Sequence, residues 1–388
     1  MNKERTINLC RRLVATESLS CEEKKIADII SEEMRNFGFD EIRRDKLGGI
    51  LGIVRGCSGG KRILFDAHID HIGIGSKDKW SYEPYGARVV NGRIYGRGTS
   101  DMKGSLAAMI SGIGSLSRMK DKFCGEVAVS ASVMEEVAEG VGLAPNIEYF
   151  NPDFVIIGES SDLKIACGQR GRAEIEVSVS GKSAHSSSPE IGINAVEDMM
   201  MVVNRLKKIK LPEDNILGKA HLVLTDIISF PYPAQSVVPH LCRATYDRRT
   251  LPDETEEGVI KGLISEIRSI KEKSIDAKVK IVDSEYRSYT GEKIKFHKFI
   301  PAWKINIDNF LVKKALQGIE KTGINPQVGY YSFCTNGSYS AVNCKIPTIG
   351  FGPSKENLAH RENEYIEIER LLLSEQAYKN ITLSLLKI

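Results

Sequence analysis

The sequence predicts an α/β protein, on two observations. Short apolar runs alternate with helical periodicity as far as Ile157, which describes a largely parallel sheet flanked by helices. Near Arg172 the texture changes to strict apolar–polar alternation, AEIEVSVSG over residues 173–181, as in a strand with one wet face.

The elements follow in order. Residues 1–40 predict two helices: Ile7, Leu9, Leu13 and Val14 recur at helical spacing. So do Ile26, Ala27, Ile29, Ile30 and Met34, after a turn-like stretch at 18–22. Apolar strands are expected at 49–54, 62–65, 127–132 and 154–157, with a small-residue buried helix at 102–119. The inserted region then reads as strand 173–181, helix 193–209, strands 221–229 and 237–249, helix 254–273 and strand 278–283. That β-α-β-β-α-β order is a ferredoxin-like α+β unit. Residues 308–323 return to an amphipathic helix and 347–351 supply a last apolar strand. The expected division is therefore 1–171 with 289–388 as one discontinuous domain, and 172–288 as the insertion.

Composition sets bounds. With 388 residues, 41% hydrophobic and 27% charged, the chain suits two ordinary globular domains. A net charge of +3 gives no reason to expect nucleic acid, a polyanion or a membrane surface. No run approaches the roughly 18 apolar residues of a transmembrane helix. The eight cysteines lack C-x-x-C pairing and read as reduced thiols, so a cytoplasmic location is expected.

Five segments, LFDAHID, YGRGTSDMKG, VMEEVAEG, VIIGES and NLAHRENE, carry metal-capable side chains beside apolar runs or glycine turns. His68 and Asp70, two apart on extended backbone, project the same way, and a carboxylate there can orient a ligating imidazole. His71 points to the opposite face. Asp101, after a glycine-rich turn, has two oxygens with which to bridge two cations; taken alone it better suits a helix N-cap. Of the adjacent Glu135 and Glu136, one can bind metal while the other moves a proton. Glu159 and His360 complete a nitrogen/oxygen set for two Zn²⁺, Co²⁺ or Mn²⁺ ions, which in such pairs sit roughly 3.5–4 Å apart. Amide and phosphoester hydrolysis both suit that ligand set.

Together these segments resemble the binuclear-zinc metallopeptidase and deacylase family of acetylornithine deacetylase, succinyl-diaminopimelate desuccinylase, carboxypeptidase G and aminoacylase. The resemblance implies two divalent metals, foremost Zn²⁺, with His68 and Glu159 on one, Glu136 and His360 on the other, and Asp101 bridging. It further implies that Asp70 orients His68 and that Glu135 is the general base. The segment GKSAHSSSP, residues 181–189, is similar to the family's stretch bearing a carbonyl-polarising histidine, here His185. That histidine often acts across subunits, so the inserted domain is expected to be a lid and to build a homodimer. YDRRTLP, residues 246–252, resembles a D-x-R segment whose arginine, here Arg249, grips a substrate carboxylate; Arg248 is expected at a surface or interdomain contact.

Residues 333–339, FCTNGSY, replace the familiar GGTSDAR loop, retaining Thr335 and leaving Thr335 and Asn336 as substrate-reading candidates. Ser236 stands where many deacylases have Asn. These departures point to the family's poorly defined hydrolases rather than to acetylornithine deacetylase or succinyl-diaminopimelate desuccinylase. The expected reaction is cleavage of an N-acyl amino acid or small dipeptide bearing a free carboxylate. The alternatives are a metal-stabilised ligand-binding or regulatory dimer and a cyclic-amide hydrolase.

Overall fold

A computed structural model describes residues 3–233, 235–271 and 274–386. They form two compact units: the chain through Gln169 with Glu285–Ile294 and everything from Lys304, and Arg170–Ser284 with Lys295–Trp303.

The first unit is organised by a sheet that is parallel at its centre. Strands Cys124–Ser132, Cys57–His68, Phe154–Ile157 and Thr348–Gly350 lie side by side in that order, all parallel. Ile50–Arg55 and Glu41–Arg44 continue it antiparallel on one side. On the other, Ile165–Gln169 meets Thr348–Gly350 antiparallel and Val328–Tyr331 parallel. The central strands are apolar because they are buried on both faces: Ile63, Leu64, Phe65, Val127, Val129 and Ile156 are all fully buried.

Helices Lys3–Val14, Lys24–Phe37, Gly104–Gly114, Ala144–Phe150, Phe310–Glu320 and Ile368–Leu386 belong to this unit. Gly104–Gly114 is buried on every side, which its small residues permit. The backbone of Ile368–Leu386 comes close to two of these helices. A Cβ added at Gly112 would stand 2.5 Å from the Glu375 carbonyl oxygen, and one at Gly318 would stand 2.7 Å from the Ile381 backbone.

The second unit has the β-α-β-β-α-β order: Gly171–Ser180, Ala195–Leu206, His221–Phe230, Leu241–Thr250, Glu256–Arg268 and Asp276–Ile281. Its antiparallel sheet runs His221–Phe230, Leu241–Thr250, Gly171–Ser180, Asp276–Ile281. Ala173, Ile175, Val177 and Val179 alternate into a core shared with Met199, Val202, Leu263 and Ile267 of the two helices. After residues that belong to the first unit, the chain returns once more: Phe299 and Ile300 pair with Ala173 and Arg172. The interval 172–288 expected from the sequence does not contain this return.

The close helix contacts give a paired prediction. Gly318→Ala should lower the unfolding midpoint, because overpacking costs about 1–3 kcal/mol and exceeds the helix-propensity gain of about 1 kcal/mol. Gly262→Ala, on a helix where an added Cβ meets nothing within 4 Å, should instead be neutral or stabilising. Denaturant unfolding of both variants decides this; equal effects would contradict the packing account.

Candidate metal centre

The parallel strands deliver their carboxyl ends to one edge. Register sets His68 beside Ser132 and Asp66 beside Ile157, so the residues just beyond, Asp70, Glu135, Glu136 and Glu159, emerge together. Asp101 comes from the irregular turn of residues 99–103 that opens helix Gly104–Gly114. His360 lies in the connection after Thr348–Gly350, on left-handed backbone at φ 61°.

Asp101 sits between the two histidines. Its Oδ1 is 2.9 Å from His68 Nε2 and its Oδ2 is 3.0 Å from His360 Nε2. His68 Nε2 is also 3.4 Å from Glu159 Oε1, and His360 Nε2 is 3.1 Å from Glu136 Oε2. Ligand atoms around a tetrahedral Zn²⁺ at 2.0–2.1 Å stand roughly 3.3 Å apart. The spacings of 2.9–3.4 Å lie near that value, so these donors suit divalent cations. His68, Glu135 and Glu159 also offer ligand atoms within 4.8 Å of one another, as do His68, Asp101 and Glu136. Glu135 is thus adjacent to the ligand set while the closest contacts fall to the other five residues.

The turns that carry these side chains are held by buried carboxylates that accept backbone N–H bonds. Asp70 takes Glu135 N at 3.1 Å on one oxygen and Glu136 N at 3.1 Å on the other, and also accepts from Ser20 Oγ. It lies at 3.5 Å from His68 Nδ1, whose closer partner is the Asp70 backbone carbonyl at 3.0 Å. Glu364 accepts from Gly98 N, Ser100 N and Asp101 N and pairs with Arg97 at 2.7 Å. Sequence reasoning passed over Glu364 and Arg97, although both lie inside quoted segments. A buried acid and arginine within metal motifs was the available signal.

Burial dominates the electrostatics. Burial and the neighbouring Glu159, Glu139 and Glu136 charges push Glu135 well above the usual carboxyl range, against His68. Burial with Asp101 raises Glu159 to about 7. Asp101 is driven the other way: hydrogen bonds from His360 and His68 outweigh its burial and hold it below the usual range. Hydrogen bonds to Asp101 and Glu136 raise His360 to about 10. Burial opposes the charged form of His68, but Asp101, Asp70 and Glu159 together raise it well above the ordinary histidine value. His71 is separate from this set: its Nε2 accepts from Ser18 N and its Nδ1 faces the Ile72 carbonyl, while burial pushes it down to about 4.

Thr335 and Asn336, expected to read substrate, are engaged within the chain. Both are buried, with Thr335 Oγ1 donating to Gln169 Oε1 and accepting from Gly337 N. Asn336 donates to Asp66 and Ser132 and accepts from Gly140 N at 2.6 Å. Their polar atoms brace the sheet end and the turn after Glu136.

In the second unit, His185 is exposed, and its Nδ1 accepts from Ser187 N at 3.1 Å and lies 2.7 Å from Ser187 Oγ. With Nδ1 accepting from Ser187 N, the ring nitrogen left to donate is Nε2. Arg249 is half-buried and bonds Asp247 through Nε at 2.8 Å. Arg248, expected at a surface or interdomain contact, does face the other way but is not at the surface. It is 3% exposed and pairs with Glu254, whose other oxygen accepts from Leu251 N.

Residues 64–384 match the profile of peptidase family M20/M25/M40. The chain is 35% identical over 383 residues to the uncharacterized protein YgeY of Escherichia coli K12, covering 96% of this chain and 93% of that one. Its fold matches a tripeptidase of Staphylococcus aureus subsp. aureus Mu50 with TM-score 0.79 at 21% identity, over 99% of both chains. It also matches a dinuclear metal-binding peptidase of Bacillus subtilis with TM-score 0.72 at 17% identity, over 98% and 97% of the two chains. With its paired-ligand geometry and a family match across most of its length, the chain belongs to the M20/M25/M40 metallopeptidases, hydrolases of peptide and amide bonds.

Proposed function

We propose that the chain is a two-metal amidohydrolase that cleaves an N-acyl amino acid or a small peptide carrying a free carboxylate. The observation that carries this reading is Asp101 standing between His68 and His360 with one oxygen toward each. In this reading His68 and Glu159 would hold one metal, Glu136 and His360 the other, and Asp101 both; Zn²⁺ suits the nitrogen/oxygen donors, with Co²⁺ and Mn²⁺ as alternatives. Two such cations would polarise the scissile carbonyl and acidify a water molecule.

The chain's own residues do the rest. Glu135, 6% exposed, takes the proton of the attacking water and delivers it to the leaving nitrogen as the C–N bond breaks. Asp70 keeps Glu135 and Glu136 in place through their N–H groups. His185, of this chain or of a second copy, would offer its Nε2–H to the developing oxyanion. Arg249 would exchange Asp247 for the substrate carboxylate in a paired guanidinium contact. The eight free cysteines support a cytoplasmic location.

A second copy of the chain is the proposed partner. Strand His221–Phe230 is the edge of the second unit's sheet and leaves Val223, Leu224, Ile227 and Ile228 between 38% and 52% exposed. A long apolar edge is a liability unless another strand covers it. Ile227→Lys should therefore convert a dimer into a monomer by light scattering. A monomeric wild type, or a variant that stays dimeric, would sink this pairing.

The catalytic reading is tested with a mixed library of N-acyl amino acids and small peptides, using protein loaded with Zn²⁺, Co²⁺ or Mn²⁺. Metal-dependent release of one substrate class is expected, and Glu135→Gln should lose about 10²–10⁴-fold in kcat with unchanged metal content. Full activity in Glu135→Gln would remove it as the proton carrier. Tight binding without turnover by the wild type would favour the binding-protein alternative.

A further inference from the structure

Helix Lys24–Phe37 begins in an unusual way. Glu23 occupies its N-cap position, yet makes no side-chain capping bond to its own helix. Its carboxylate is instead fully buried, and Oε1 accepts from Met134 N at 3.0 Å and Cys21 N at 3.0 Å. Oε2 is buried without a hydrogen-bond partner among the described residues. A carboxylate left half-satisfied in the interior is costly. The contact that it does make therefore calls for a reason.

Met134 provides one. It is the residue before Glu135 and has φ 62°, left-handed backbone that a side-chain-bearing residue rarely adopts. The turn it opens is fixed by acceptors on successive N–H groups. Glu23 holds Met134 N, and Asp70 holds Glu135 N and Glu136 N. Other side chains of residues 18–23 dock on the same strand ends. Ser20 Oγ donates to Asp70 at 2.7 Å, Ser18 Oγ donates to the Ile69 carbonyl, and Ser18 N donates to His71 Nε2.

We propose that Glu23 is a positioning residue for the Glu135–Glu136 turn, and that residues 18–23 couple the amino-terminal helices to the hydrolytic centre. This rests on the reading of Glu135 as proton carrier. What matters in Glu23 is reach: its oxygen must arrive at Met134 N, so that Glu135 meets the attacking water in line. Misplacing a reacting group by about 1 Å can cost about 10²-fold in rate.

Three variants separate reach from charge. Glu23→Gln keeps the acceptor and loses the charge. Glu23→Asp keeps the charge and is one methylene short, and Glu23→Ala removes both. Each is loaded with two Co²⁺, and kcat, KM and the visible cobalt spectrum are measured per folded, metal-loaded site. Glu23→Asp and Glu23→Ala should lose about 10–100-fold in kcat with KM changed less than about threefold, and Glu23→Gln should recover most of the rate. If Glu23→Ala does not fold, the Gln and Asp variants decide alone. Wild-type kcat in Glu23→Asp, or a rate in Glu23→Gln as low as in Glu23→Asp, overturns the proposal. An active wild type with an inactive Glu135→Gln, measured alongside, separates that failure from a failure of the hydrolase reading.

Discussion

Everything at the strand ends of the first unit is arranged around buried negative charge. Asp70, Asp101, Glu135, Glu159 and Glu364 are buried or nearly so, with Glu136 beside them. Isolated carboxylates do not survive such a setting. Some here are satisfied as backbone acceptors, and Glu364 is paired with Arg97. The others converge on His68 and His360. Both imidazoles are pushed toward their protonated forms by these carboxylates, His360 to about 10. The same negative surroundings would favour bound divalent cations.

The fold makes this congregation affordable by dividing the work. Parallel strands bring several chain segments to one edge without their own polar groups competing, since each strand's hydrogen bonds lie within the sheet. The turns that follow are irregular, and their N–H groups point inward. Asp70 and Glu364 accept those N–H groups while standing next to the candidate metal-binding side chains. Each buried acid thereby lowers the cost of its own burial and fixes a ligand-bearing backbone. The second unit carries groups of a different kind: an exposed His185 whose Nδ1 accepts from Ser187 N, and a half-buried Arg249 bonded to Asp247.

Much of this was legible in the sequence because burial leaves a pattern. Strand Phe154–Ile157 is read at its observed bounds, and the alternation of residues 173–181 marks the half-wet strand Gly171–Ser180. The long helix Ile368–Leu386 was not read. Ser374, Glu375 and Thr382 lie on its buried side and erase the apolar period that reveals such helices. Arg248 shows a related limit. Alternation gives the face on which a side chain projects, but not whether another segment covers that face, and here Glu254 does. The five metal-capable residues could be gathered by motif order. The internal engagement of Thr335 and Asn336, by contrast, depends on Gln169, Asp66 and Gly140, which are distant in the chain and carry no local signal.

Calorimetric titration of the chelated protein with Zn²⁺, repeated in buffers of different ionisation heat, addresses the charge arrangement directly. Ligation needs neutral imidazoles, and His360 near 10 is protonated at neutral pH, so binding must expel protons and strengthen as pH rises. The expected result is two bound ions per chain with net proton release at pH 7, diminishing in His360→Ala. Binding of no metal, or of two metals with heats independent of the buffer, would contradict the view that this site is a cluster of buried carboxylates completed by cations.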